Sequence, residues 1–149
     1  MTLVLGLGNP LRGDDGIGPR VIESLHQRGL PAGVEALDAG AAGLDLLNLL
    51  DGPQRVIIVD AAEMGRAAGA VVRFRPEDVT LTGSAERFSL HGRGVADALA
   101  LADALGIPLP EIVVYGVQPT RVGWGLDLSD EVAAALPGLV QVILKEMQE

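Results

Sequence analysis

The sequence predicts an α/β fold: a single three-layer α/β/α domain, residues 1–149, around a mostly parallel, twisted sheet of about five strands. Three observations carry that expectation. Short apolar runs, LVLGLG at 3–8, RVIIVD at 55–60 and EIVVYGV at 111–117, read as strands buried on both faces. Segments with helical periodicity separate them, and strands alternating with helices imply right-handed crossovers with both sheet faces covered. The chain is 149 residues long and 48% hydrophobic, enough for one domain with a core of its own.

The elements follow in order. After the first strand, Ile17, Val21, Ile22 and Leu25 recur at helical spacing, and Gly29 closes that segment. Val34 to Leu37 form a second short strand, followed by a turn at Asp38-Ala39-Gly40. Leu44, Leu47 and Leu50 predict a short helix that stops at Asp51-Gly52-Pro53. Val56 to Val59 then form the clearest buried strand, ending in Asp60. Val71 to Arg75 alternate as an exposed edge strand would, and residues 76–90 read as a long loop. The alanine- and leucine-rich stretch 94–106 is a helix with a glycine stop, and Ile112 to Val117 form another strand. Ser129 can cap a last helix whose apolar stripe is Val132, Leu136, Val140 and Ile143, and which Pro137 should kink or interrupt.

Composition excludes several functions. Eleven basic against twenty acidic residues give a net charge of −9, the wrong sign for nucleic acid or an anionic membrane and the right one for cations. The absence of cysteine removes disulfides, thiolate metal sites and cysteine nucleophiles. MTLVLGLGNP lacks the charged region of a secretory signal, and no apolar run is long enough to span a membrane, so a cytoplasmic location is expected.

The informative stretch is GNPLRGDDGIG at 8–18. It looks built to hold a phosphate, yet Asp14 and Asp15 would repel one. Leu11 occupies the third glycine position of a dinucleotide fingerprint, and no G-K-[ST] follows, so a nucleotide-binding reading is disfavoured. Ligands of open α/β sheets bind beyond the carboxyl ends of the parallel strands, where Asp14, Asp15, Asp38 and Asp60 should converge. One cap needs one carboxylate, so Asp14 is expected to cap or brace the turn while Asp15 points into the cleft. Asp60 is either a turn residue bonding its own backbone or a site residue.

Of the two histidines, His26 lies beside Glu23 on the polar face of the first helix and reads as solvated. His91, in SLHGRG, sits in a glycine-flanked loop, and an imidazole with two carboxylates suits a divalent transition metal. No G-x-S-x-G surrounds Ser24, Ser84, Ser89 or Ser129, and no H-E-x-x-H is present.

GLGNPLRGDDGIGPRVIESL, LDAGAAGLDLLNLL, RVIIVDAAEMG, SLHGRGVADALALADALG and EIVVYGVQPTRVGWGLDLSDEV together resemble the [NiFe]-hydrogenase maturation endopeptidases, in order over nearly the full chain. The resemblance implies a phosphorylase/hydrolase-like sheet. It also implies an aspartic/metallo-type endopeptidase that removes a C-terminal extension from the hydrogenase large-subunit precursor after nickel insertion. Carried over residue by residue, its nickel-recognition and catalytic positions fall on Asp15, Asp60 and His91. The nickel would arrive with the precursor, and the enzyme would work as a monomer. Some members have glutamate where this chain has Asp15. Asn9 and Pro10 shape the turn, and Asn9, Asp38 and Gly40 are expected to line the substrate groove, Asp38 being equally readable as structural. Trp124 is a packing anchor or a partner contact. The competing reading is a non-catalytic nickel-sensing chaperone or binding module on the same fold.

Overall fold

The computed structural model describes residues 1–40, 45–78, 92–120, 125 and 127–149. Its five strands are β1 (Thr2–Leu7), β2 (Val34–Gly40), β3 (Arg55–Ala61), β4 (Val71–Phe74) and β5 (Glu111–Val117). They form one sheet in the order β2-β1-β3-β5-β4. β1, β2, β3 and β5 run parallel, and β4 closes the sheet antiparallel to β5, the edge position its alternation predicted. Among the described residues the named helices are α1 (Ile17–Arg28), α2 (Asp45–Leu49), α3 (Gly92–Leu105) and α4 (Asp130–Met147), and a 3-10 turn lies at Gly13–Gly16.

Alternation along the central strands divides the core in two. Val4, Ile57, Val59, Val113, Tyr115 and Val117 pack beneath α1 and α4, whose buried side chains include Val21, Leu25, Val140 and Ile143. On the other face Leu3, Leu5, Leu7, Val56, Ile58 and Ile112 pack beneath α2 and α3 through Leu46, Leu50 and Ala98. Because side chains on a strand alternate faces, a strand covered twice must be apolar throughout. β3 is the clearest case, buried from Val56 to Ala61.

Three boundaries depart from the sequence reading. β3 does not end at Asp60. Asp60 and Ala61 stay in the sheet opposite Gly116 and Val117, which rules out the turn reading of Asp60. The turn at Asp38-Ala39-Gly40 lies inside β2. The register slips there from Gly6 opposite Asp38 to Leu7 opposite Gly40, and the Asp38 carboxylate accepts from the Gly40 N–H at 2.9 Å. The turn chemistry is present, used as a bulge. Pro137 does not interrupt α4. It is exposed, and Val132, Leu139, Val140 and Ile143 bury the helix on both sides of it. Residues 76–78 are helical rather than loop, and the rest of that expected loop lies outside the described residues.

His26 is exposed as expected, but it is not idle. Its Nε2 stands 2.8 Å from the Ala36 carbonyl oxygen, tying α1 to edge strand β2.

At the far end of α4, Glu146 is buried among Arg55 from β3, Arg73 from β4 and the Tyr115 hydroxyl from β5. Burial opposes its ionisation, but hydrogen bonds from Arg73 and Tyr115 and the charges of Arg55 and Arg73 outweigh that and hold its carboxyl down at about 2. Tyr115 is pushed up to about 12, by burial first and then by its bond to Glu146. A carboxyl depressed in the folded state stabilises it above the unfolded pKa, and that contribution is lost as pH falls through the folded value. We therefore expect a Glu146-dependent loss of stability between pH about 4.5 and about 2 in acid titrations followed by circular dichroism. Glu146→Gln should lower the unfolding free energy at pH 7 by about 2–4 kcal/mol in urea melts and remove that acid step.

Candidate active site

The strand order places a topological switch point between β1 and β3. The chain leaving β1 crosses through α1 to β2 on one side, and the chain leaving β3 passes to β4 and β5 on the other. Ligands of open α/β sheets bind in the crevice this divergence opens. The 3-10 turn Gly13–Gly16 follows β1 at this crevice and packs against β3, whose carboxyl end carries Asp60. Asp15 is fully buried and Asp60 is only 3% exposed. Two of the three predicted ligands, Asp15 in the turn after β1 and Asp60 in the adjacent strand β3, thus lie on one rim. His91 lies outside the described residues. Among the described residues, no group of three or more His, Asp or Glu side chains is arranged to hold a metal.

The glycines of GNPLRGDDGIG permit contact between the loop and its own strand. Gly8 has φ +124°, and a β-carbon there would collide with the Asp15 carbonyl oxygen. At Gly18 a β-carbon would strike the carbonyl oxygens of Leu7 and Val59, so the first turn of α1 sits directly on β1 and β3. These glycines bring the acids down onto the sheet rather than opening a phosphate cradle.

The two adjacent aspartates have separate surroundings. Asp14 accepts from the Thr120 N–H at 2.8 Å, the Ser129 N–H at 2.6 Å and the Ser129 hydroxyl at 2.8 Å. It is a brace, as the sequence suggested, but the helix it caps is α4, 115 residues away, rather than its own turn. Ser129 caps α4 in turn, its Oγ accepting from Val132 at 3.5 Å. A carboxylate at that helix N-terminus is also favoured by the helix dipole. Asp15 faces elsewhere, its Oδ2 accepting from the Asn9 N–H at 2.9 Å.

Asn9 shapes the turn as expected. Its side-chain oxygen accepts from Leu11 N–H at 2.9 Å and its carbonyl from Arg12 N–H at 3.0 Å. Gly40 joins the rim through its carbonyl, which accepts from Gly8 N–H at 2.8 Å, while Asp38 stays exposed at the β2 bulge. Trp124, Ser84 and Ser89 lie outside the described residues; Ser24 sits within α1.

The sequence reading did not single out Gln118. Its buried carboxamide follows β5, accepts from the N–H groups of Met64 at 2.7 Å and Arg66 at 3.3 Å, and donates to Glu63 at 2.9 Å. It folds the segment after Asp60 back on the sheet. The available signal was the one that marked Asp60: a polar residue directly after a buried strand, at the functional rim.

Comparison with known proteins completes the assignment. A family model described as hydrogenase maturation protease matches residues 19–146. The chain belongs to the hydrogenase maturation protease family. It is 34% identical over 149 residues to the hydrogenase 2 maturation protease of Escherichia coli, covering 99% of this chain and 90% of that one. It is 35% identical to the hydrogenase expression/formation protein HupD of Bradyrhizobium diazoefficiens, over 95% of this chain and 77% of the other. Among solved structures, the hydrogenase maturating endopeptidase HybD from Escherichia coli superposes with a TM-score of 0.87 at 33% identity, covering 99% of this chain and 91% of that one. The [NiFe] hydrogenase maturation protease HybD from Thermococcus kodakarensis gives 0.80 at 33% identity, covering 97% of each chain. This chain is thereby a peptidase-family hydrolase with the five-stranded, mostly parallel sheet the sequence predicted. Among the described residues no helix is long and apolar enough to cross a membrane.

The glycine packing is testable by comparing two alanine substitutions. Gly29 has φ +82° with nothing near its missing β-carbon, so Gly29→Ala should cost only backbone strain, about 1–3 kcal/mol. Gly8→Ala adds the collision with Asp15, so urea melts should show a larger loss there than at Gly29.

Proposed function

We propose that this maturation protease cuts a C-terminal extension from the large-subunit precursor of a [NiFe] hydrogenase after nickel has been inserted, with the nickel as the recognition element. The observation that carries the reading is the burial of Asp15, in the turn that follows β1, and of Asp60, at the end of the adjacent strand β3, on the rim of the switch-point crevice. Burying acids from two strands on one rim concentrates negative potential there, which suits a cation and not a phosphate. The third donor in this reading is His91, and two carboxylates with an imidazole suit a divalent transition metal.

The nickel belongs to the substrate. The precursor carries it, and Asp15, Asp60 and His91 complete its surroundings when the two proteins meet. A bound metal can polarise the scissile carbonyl or activate a water molecule, so this chain needs no nucleophile of its own. This is the aspartic/metallo type of peptide hydrolysis, in which carboxylates serve the metal and the water attacks. Asn9, Asp38 and Gly40, on the same rim, border the groove for the extended peptide. The enzyme acts as a cytoplasmic monomer on one precursor at a time. Selectivity follows from the shared metal, because a nickel-free precursor lacks the ligand that joins it to the enzyme.

Intact-mass measurement of the precursor, nickel-loaded and nickel-free, after incubation with this protein tests the reading. The expected result is a C-terminal mass loss only in the nickel-loaded sample, reduced by at least about 10²-fold in rate in Asp60→Ala. Equal cutting of both precursors would overturn the recognition role of nickel. Tight binding with no cutting would favour the nickel-sensing binding module.

A further inference from the structure

We propose that Asp14 is a positioning residue for Asp15, setting the direction of the Asp15 carboxylate by anchoring their shared turn to the two ends of the 120–129 segment. The proposal rests on the reading of Asp15 as a ligand for the precursor's metal and adds the device that aims it.

The anchoring is specific. Asp14 Oδ2 takes the Thr120 N–H and the Ser129 hydroxyl, while Oδ1 takes the Ser129 N–H, so one carboxylate holds both ends of the segment. A second tie precedes it: Gly13 N–H donates to the Gly125 carbonyl and Gly125 N–H to the Leu11 carbonyl, each at 2.9 Å. Asp14 and Asp15 share one peptide unit inside a 3-10 turn, so a backbone shift at Asp14 is passed on to Asp15. The brace is charge-assisted and 1% exposed, and it points into the N-terminus of the 18-residue helix α4. The position that looks like a redundant acid in the sequence therefore serves geometry, leaving the Asp15 carboxylate to the loop itself, where it accepts from the Asn9 N–H.

An asparagine at this position cannot reproduce the brace. Its single acceptor oxygen meets three donors, and its NH₂ group is turned toward an N–H. Asp15 carries its own reporter, because its Oδ2 accepts from the Asn9 N–H at 2.9 Å. That contact is readable without any substrate.

The experiment compares wild type, Asp14→Asn, Ser129→Ala and Ser129→Thr well below their melting temperatures. The Asn9 amide proton is followed by ¹⁵N-correlated NMR, and kcat/KM is measured on nickel-loaded and nickel-free precursor. Asp14→Asn should shift the Asn9 amide resonance, lower kcat/KM for nickel-loaded precursor by about tenfold or more, and compress its preference over nickel-free precursor. Ser129→Ala should show the same pattern more weakly, and Ser129→Thr, which keeps the hydroxyl, should match wild type. A lowered melting temperature with an unmoved Asn9 amide and wild-type kcat/KM per folded molecule would overturn the proposal and make Asp14 merely structural. If wild type leaves the nickel-loaded precursor uncut, the functional reading fails, while the Asn9 resonance still decides whether Asp14 aims Asp15.

Discussion

One carboxylate joins the beginning of this protein to its end. Asp14 takes hydrogen bonds from Thr120 and Ser129, residues more than a hundred positions away, and so binds the first loop to the N-terminus of the last helix. The glycines on either side let that loop lie flat on the sheet, at Gly8 beneath Asp15 and at Gly18 against β1 and β3. With the loop pressed down and braced, the acid next to the brace is fully buried beside the crevice between β1 and β3, its carboxylate accepting from the Asn9 N–H. The geometry of the rim depends on the brace.

The two ends of α4 are held by opposite arrangements of the same chemistry. At its start a carboxylate from another element meets free N–H groups and the positive end of the helix dipole. Near its end the helix supplies the carboxylate, Glu146, to two arginines and a tyrosine of three strands. The first arrangement sets up the functional rim. The second clamps the opposite part of the sheet, where a buried acid is tolerated because its partners keep it ionised. Gln118 works on the rim in a neutral form, a buried carboxamide whose hydrogen bonds fold the segment after Asp60.

Much of this was legible in the sequence, for reasons that particular residues make plain. Strands buried on both faces have to be apolar throughout, so β1, β3 and β5 stood out, and the period of α1 with its Gly29 stop gave that helix nearly to the residue. Asp14 could be read as a bracing acid because a single cap needs a single acid. What could not be read is long-range. Nothing local says that Asp14 reaches Ser129, that Glu146 gathers residues from three strands, or that His26 touches Ala36. The turn at Asp38 was recognised from its chemistry, but whether a turn ends a strand or bulges inside it depends on the register of the neighbour. Pro137 does not interrupt its helix, because it sits on the exposed side of a helix that Val132, Leu139, Val140 and Ile143 bury. His91 and Trp124 lie outside the described residues, so their expected roles rest on the sequence and the family.

The central claim is that acids at the β1–β3 crevice recognise a metal that the precursor brings. The most direct measurement is the dissociation constant of this protein for nickel-loaded and nickel-free precursor, for wild type and for Asp15→Asn and Asp60→Asn. Wild type should bind the nickel-loaded form at least about tenfold more tightly, a difference of about 1.4 kcal/mol, and either substitution should erase the difference. Equal affinity of wild type for both forms would contradict the claim.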